Sequence, residues 1–445
     1  MSVLGLQLLD VFHPKKNAPV RGTRSGGETA ERPAQDEAIG VLNSLRVLFA
    51  LWLVVFHSDH EGRVFPRTLT AMGYLGTSFF IILSGFVLTQ AFLCSAKALK
   101  PTAFWWSRFT RLYPLYLLSG LVMLPKFLYV NASYGAIKDL AHASFQVTVY
   151  ATMTQSWTVG PAFNSLNGPG WTVSTLAFCF LMFPFVGPML MARSSRALWW
   201  TLGGSIAASL LPAEVATWWM WQQGIDIPAN DCQGYLPRVV HDIYDLFHTF
   251  PLIRWPEFID GMILGILFHR GCAPAFVVRH GLLLGVLGTA TMVLISPWFP
   301  FLIMHNGMFI FPAACFIIGS MGTKGGRLNT VLNQPWLAYL GKISFSIYLL
   351  HFPLLNYLQR VLLHGHIAWP GEALYLLLVI ALASLGHRFI EEPARAYLRK
   401  IDPARILDPV RAWQEGLRRR WLPGPAQRAD FRETLATSAG SAMAD

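Results

Sequence analysis

Charge is what this 445-residue chain has little of: Asp, Glu, Lys and Arg make up 13% of it against 53% hydrophobic residues, and the mean hydropathy is +0.42. That leaves too little polar surface to cover a water-soluble domain, and it fits a chain that uses lipid as solvent. Acidic residues are the scarcer sign, 24 against 35 Lys and Arg. The net charge of +11 still does not point to nucleic acid, because the basic residues fall in short clusters between apolar runs and in the tails. Cysteine is sparse. The five, at 94, 179, 232, 272 and 315, spell neither a disulfide framework nor a metal-ligand spacing, so no metal is expected. No repeat at a fixed period is visible. Residues 1–40 are polar, with Lys15, Lys16, Arg21, Arg24 and Arg32, so no conventional signal peptide is read and the first apolar run would itself direct insertion.

What is present is a series of apolar runs, each about 17 to 24 residues long, enough to cross a bilayer as helices. Ten spans fit, at about 42–58, 71–93, 112–130, 171–192, 197–213, 251–269, 281–298, 301–320, 342–362 and 373–391. The expected fold is therefore all-α, a polytopic membrane helical bundle over 41–400. A polar N-terminal tail (1–40) and a C-terminal tail (401–445) holding Arg418, Arg419 and Arg420 are read as disordered. With both tails cytosolic, Lys97, Lys100, Arg108, Arg111, Arg193, Arg270 and Lys324 fall on the same side, and few cations such as Arg63, Arg67, Lys138 and Arg238 lie opposite. Two outer loops, roughly 131–170 and 214–250, contain Asp226, Asp231, Asp242 and Asp245. They read either as a stabilising cap or as a lid over a substrate vestibule. Asn131-Ala132-Ser133 is a glycosylation sequon, with meaning only in a eukaryotic secretory membrane.

An ionisable side chain inside hydrocarbon costs roughly 2.5 to 3.5 kcal/mol and needs a partner, water or a function. Arg46 and His57 both occupy the first span. At 100° per residue they share a face, about 16 Å apart along the axis. Arg46 could snorkel to lipid phosphates, and His57 could hydrogen-bond at the interface beside Asp59 and His60. In the second span the small residues of Gly76-Thr77-Ser78 and Ser84-Gly85 admit either a neighbouring helix or a thin ligand. Arg108 and Arg111, at i and i+3, can grip a phosphate or anchor the chain to headgroups. Gly168-Pro169-Gly170-Trp171 starts a helix. Glu257 and Asp260 begin the sixth span, where a helix N-terminus tolerates acids. Ser344, Ser346, Tyr348 and His351 form a polar stripe on the ninth, with His351 either a functional group or a hydrogen-bonded core residue.

In this order the segments resemble the membrane-bound acyltransferase-3 family, the enzymes that O-acylate sugars, polysaccharides, lipids and natural products. The resemblance covers about 41–400. It rests on Leu45-Arg46 with His57 after ten intervening residues, FFIILSGF, Arg108-Phe-Thr-Arg111, GPGW at 168–171, PEFIDGMILG at 256–265, LGKISFSIYLLHFPL at 340–354 and RFIEEP at 388–393. The resemblance implies an acyltransferase, an integral multi-pass protein of a plasma membrane or endomembrane. Acyl-CoA, acetyl-CoA in the first instance, would serve as co-substrate from the cytosol, with no tightly bound cofactor, and a hydroxyl-bearing acceptor would receive the acyl group. It further implies that Arg108 and Arg111 hold coenzyme A phosphates, that Ser84 and Gly85 line the path of the pantetheine arm, that His57 with Arg46 is catalytic, and that Trp171, Glu257, Asp260 and His351 serve the substrate. One position departs. Many members carry a glutamate five residues after the motif tryptophan, where this chain has Leu176. If that acid orients the base, then Ser174, Glu257, Asp260 or Asp59 must replace it. A secondary transporter or a non-catalytic receptor or scaffold are the competing readings; a transporter should show inverted repeats with matching broken helices, and none is evident.

Overall fold

The structure, a computed structural model, describes residues 28–59, 62–95, 99–133, 140–158, 166–229, 238–322, 326–361 and 369–403. His60, Lys97, Lys138, Asp231, Lys324 and most of both tails lie outside them. The principal helices are α1 Glu28–Ser58, α2 Leu75–Leu88, α3 Pro101–Ser133, α4 Leu140–Ala151, α5 Trp171–Met191, α6 Ser195–Gln222 and α7 Arg238–Thr249. The second half adds α8 Pro251–His269, α9 Ala275–Ile295, α10 Ile310–Gly322, α11 Pro335–Lys342, α12 Ser344–Val361, α13 Trp369–Gly386 and α14 Glu392–Leu398. Among the described residues there is no strand.

Seven segments are long and apolar enough to cross a membrane: Gly40–Ser58, Arg67–Leu93, Pro101–Tyr129, Gly168–Met191, Ala275–Trp298, Phe301–Gly322 and Trp369–Leu398. The pair α11 and α12, bent by 62°, makes an eighth. The two remaining expected spans are also helical, but α8 carries Arg254, Glu257 and Asp260 within 19 residues, and α6 is rich in tryptophan. Exposed Trp200 and Trp219 stand near the two ends of α6. Nineteen residues of helix separate them by about 28 Å, close to the roughly 30 Å hydrocarbon thickness, the placement interfacial tryptophans favour.

Other boundaries differ from the sequence reading. α1 begins at Glu28 rather than near 41. Among the described residues, the segments expected as outer loops contain α4 and α7, and α6 runs on to Gln222. Outward-facing apolar side chains such as Leu283, Leu287 and Leu294 of α9 and Leu374 and Leu377 of α13 are more than half exposed. A lipid phase would cover that surface, whereas water would not tolerate so much of it.

α1 is buried on two sides, and this fixes the site. Leu45, Phe49, Leu53 and Phe56 join the main core, while Val47, Ala50 and Val54 pack with Ile343, Ile347, Tyr375 and Val379 in a second cluster. The apolar part of α1, Gly40–Ser58, packs on two sides as an interior helix does, and it carries two ionisable residues, Arg46 and His57. Close backbone approaches set the spacing around it. A Cβ on Gly85 would overlap the Phe258 carbonyl of α8, and one on Gly261 the Ile82 carbonyl of α2. A Cβ on Gly341 would overlap the Asn43 carbonyl of α1. Small residues thus bring helices together where no hydrophobic force distinguishes lipid from protein.

Candidate active site

The bundle encloses a cavity of about 190 Å³ between α1, α2, α3, α5 and α12. Arg46, Arg108, Arg111, Asn43 and Gln90 line one end. Leu83, Val87, Leu112, Val173, Leu176 and Phe180 also line it, as do Thr172, Tyr348 and Phe80, the last about 15 Å along its helix from Gln90. None of the described lining residues is acidic. Three guanidinium groups therefore face one space without a lining carboxylate, an arrangement that favours an anion carrying several charges. Each has its own support. Arg108 is buried, with its guanidinium 5.4 Å from the Phe92 ring centroid, and its Nε donates to Ser107 Oγ at 3.2 Å. Arg46 has Arg111 and Glu391 as charged neighbours. Glu391 is held in turn by Ser346 Oγ (2.9 Å) and His387 Nδ1 (2.9 Å).

Tyr348 bonds through its hydroxyl to Thr172 and to the Pro169 carbonyl. One helical turn further on, His351 meets His57: His351 Nε2 lies 3.3 Å from His57 Nδ1. His351 Nδ1 lies 2.6 Å from the Tyr348 carbonyl, and His57 Nδ1 lies 3.0 Å from the Leu53 carbonyl. A carbonyl only accepts, so this network assigns the proton of His351 to Nδ1 and leaves Nε2 as an acceptor. His57 Nδ1 then carries the hydrogen, shared between Leu53 and His351. In the neutral ring the basic lone pair of His57 falls on Nε2, the tautomer a general base needs.

Of the residues expected to stand in for a glutamate at 176, Ser174, Asp59 and Glu257 have partners of their own. Ser174 Oγ pairs with Ser156 Oγ at 2.6 Å. Asp59 accepts from the backbone N–H groups of Arg63, Val64 and Phe65 and so ties the following loop. Glu257 pairs with Arg254 at 2.7 Å, and Asp260 is fully buried on the α6 side of α8, near Ser205. It is His351, expected beside the substrate, that touches His57. Leu176 lies on the cavity wall instead.

The remaining expected residues separate likewise. Ser84 lines the cavity, but its hydroxyl donates to the Phe80 carbonyl at 2.7 Å. Gly85 faces α8, where its lack of a side chain serves packing. Arg46 joins the arginines of the cavity rather than the histidine pair. Trp171 is buried with its ring 4.7 Å from that of His248. His248 Nδ1 in turn lies 2.9 Å from His305 Nε2, and burial, reinforced by Arg254 and His57, holds the His248 imidazole well below its usual pKa.

Sequence reasoning passed over Arg254. It is fully buried and donates to Ser78 Oγ (2.8 Å) and the His305 carbonyl (3.2 Å) as well as pairing with Glu257. A cation three residues before an acid, inside an apolar helix, was the available signal.

Comparison with known proteins agrees with this architecture. A family model described as an acyltransferase domain, Acyl_transf_3, matches residues 39–388. Acyltransferase MdmB of Streptomyces mycarofaciens is 26% identical over 371 residues, covering 78% of this chain and 87% of that protein. O-acetyltransferase OatA of Staphylococcus aureus (strain NCTC 8325 / PS 47) is 21% identical over 379 residues, covering 80% of this chain but 57% of its own length. No solved structure matches.

Proposed function

The chain belongs to the acyltransferase-3 family, and from that premise we propose that it moves an acyl group, acetyl in the first instance, from acyl-CoA to a hydroxyl of a carbohydrate, lipid or natural product. The observation that carries this reading is the cavity itself. A three-arginine end suits the phosphates of coenzyme A, and an apolar passage leads from it to Tyr348, one turn from the His351–His57 pair. The donor would enter from the cytosolic side, which the basic clusters mark, with its thioester foremost. The acceptor would approach from the outer end, where His57 closes α1.

In that arrangement His57 Nε2 takes the proton of the acceptor hydroxyl as its oxygen attacks the thioester carbonyl. The tetrahedral intermediate collapses with cleavage of the C–S bond, and the coenzyme A thiolate recovers the proton from the imidazolium, so protons balance. His351 fixes the tautomer and orientation of His57 from behind. Acid–base help of this kind is worth about 10² to 10⁴ in rate.

The test is transfer of radiolabel from [¹⁴C]acetyl-CoA by the purified protein in lipid nanodiscs, offered sugars, polysaccharides, lipids and polycyclic alcohols in turn. The expected product is a base-labile ester, with His57→Ala losing transfer while still binding coenzyme A. Transfer retained in that variant, or movement of an acceptor across vesicles without acylation, would overturn the assignment.

A further inference from the structure

A donor that carries its acyl group through an apolar cavity brings its own polar groups with it. The pantetheine arm contains two amides, and burying an amide without a partner costs more than making a hydrogen bond returns. Some lining side chain must therefore meet them. Besides the arginines, six polar side chains line the cavity: Asn43, Ser84, Gln90, Thr172, Ser344 and Tyr348.

Four of these already have partners within the protein. Ser84 donates to the Phe80 carbonyl, Gln90 Nε2 to the Gly265 carbonyl at 2.7 Å, and Thr172 and Tyr348 bond to each other and to the Pro169 carbonyl. Ser344 differs. It is 1% exposed, and its Oγ has no hydrogen-bond partner among the described residues although it borders the cavity. Asn43 is likewise buried, at 6% exposure, and lines the same cavity.

The two belong to one surface. Gly341, three residues before Ser344, lies against the Asn43 backbone so closely that a Cβ there would overlap its carbonyl. The 62° break between α11 and α12 turns the chain at that point and brings the first residue of α12, Ser344, to the cavity. An asparagine amide and a serine hydroxyl each offer both a donor and an acceptor, which is what a secondary amide requires.

We propose that Asn43 and Ser344 form a subsite for the amide groups of the donor's pantetheine arm, so that they select an amide-bearing thioester over phosphate alone. The inference rests on the proposed acyl-CoA donor, and its test separates the two. Binding of coenzyme A and of adenosine 3′,5′-bisphosphate, which keeps phosphate charge but lacks the arm, is measured by calorimetry on the full chain in nanodiscs. Ser344→Ala and Asn43→Leu should each weaken coenzyme A by about threefold to tenfold, the worth of one neutral hydrogen bond. Binding of the bisphosphate should stay within twofold. Ser344→Thr, which keeps the hydroxyl, should bind coenzyme A close to the native protein and so guards against misfolding as the cause. Unchanged coenzyme A affinity in both variants overturns the subsite and leaves the donor reading standing. An equal loss for both ligands, as a collapsed cavity would give, also overturns it. Failure of the native protein to bind coenzyme A overturns the donor reading and the subsite with it.

Discussion

Replacing His351 by leucine removes the acceptor behind His57 while keeping an apolar side chain of similar reach in the core. His57 Nδ1 then keeps the Leu53 carbonyl, four residues back on its own helix, and loses its hydrogen bond to α12, while Phe352 of α12 still packs against the ring. The size of the effect is bounded at both ends. One neutral hydrogen bond is worth about 1 kcal/mol, a factor of roughly five. The base that the bond orients contributes about 10² to 10⁴ in rate, and losing its orientation cannot cost more than losing the base. A fall in kcat of about tenfold to a hundredfold follows, with KM for acetyl-CoA nearly unchanged, because His351 is not among the residues lining the cavity. His351→Gln, whose amide oxygen can accept from His57, should recover part of the loss. The assay is initial-rate transfer from [¹⁴C]acetyl-CoA with the best acceptor found, in native protein, H351L, H351Q and H57A. If H351L keeps kcat within twofold of native, or if its KM rises while kcat holds, the orienting role is refuted. Equal losses in H351L and H351Q with broadened gel filtration would mark a packing defect and refute it as well.

Four further outcomes follow from the same geometry. Replacing both Arg108 and Arg111 by glutamine should weaken coenzyme A binding at least tenfold and flatten its dependence on ionic strength, read by calorimetry at two salt concentrations. Leu176→Glu should weaken donor binding rather than restore a lost function, because the new carboxylate would stand in the cavity and compete with the donor phosphates for the arginines; tighter binding of coenzyme A would count against the three-arginine site. Arg254→Met leaves Glu257 buried without its cation, a change that costs about 3 to 5 kcal/mol in comparable buried pairs, so the melting temperature in detergent should fall sharply, and Arg254→Met combined with Glu257→Gln should regain much of it. Gly261→Leu should prevent a monodisperse preparation, since its side chain would meet the Ile82 carbonyl with no room to move.

Individual charges were legible in the sequence and their pairings were not. Arg46 and His57 stand out because each interrupts an apolar run, and helical phase alone places them on one face of α1. Of the ten expected spans, seven are long and apolar enough to cross a membrane and the bent α11–α12 pair makes an eighth, whereas α8 and α6, the two most interrupted by charge or tryptophan, are helical without adding to that number. The contact between His57 and His351 spans 294 residues of sequence. It depends on the docking of α12 against α1, which no local pattern encodes. Gly85 shows the same limit, because a small residue looks alike in sequence whether it clears space for a ligand or for the backbone of α8. The segments 131–170 and 214–250, expected as loops because they lie between apolar runs, contain α4 and α7. In α7 the i to i+4 contact of His241 Nδ1 with Asp245 Oδ2 at 3.2 Å was a helical sign available in the sequence.

The replaced glutamate gains a different meaning from this placement. A carboxylate at 176 would share the cavity with Arg46, Arg108 and Arg111, one of which it could neutralise. His57 is backed instead by His351, one helical turn past Tyr348. Orientation of the base and composition of the cavity wall are therefore separable in this chain. With leucine at 176, the three guanidinium charges remain without a lining carboxylate, and the wall beside them gains apolar surface. On the proposed acyl-CoA reading, leucine at 176 bears on the charge and lining of the cavity rather than on the histidine pair, so Leu176→Glu is expected to change donor affinity and acyl preference rather than the proton transfer itself.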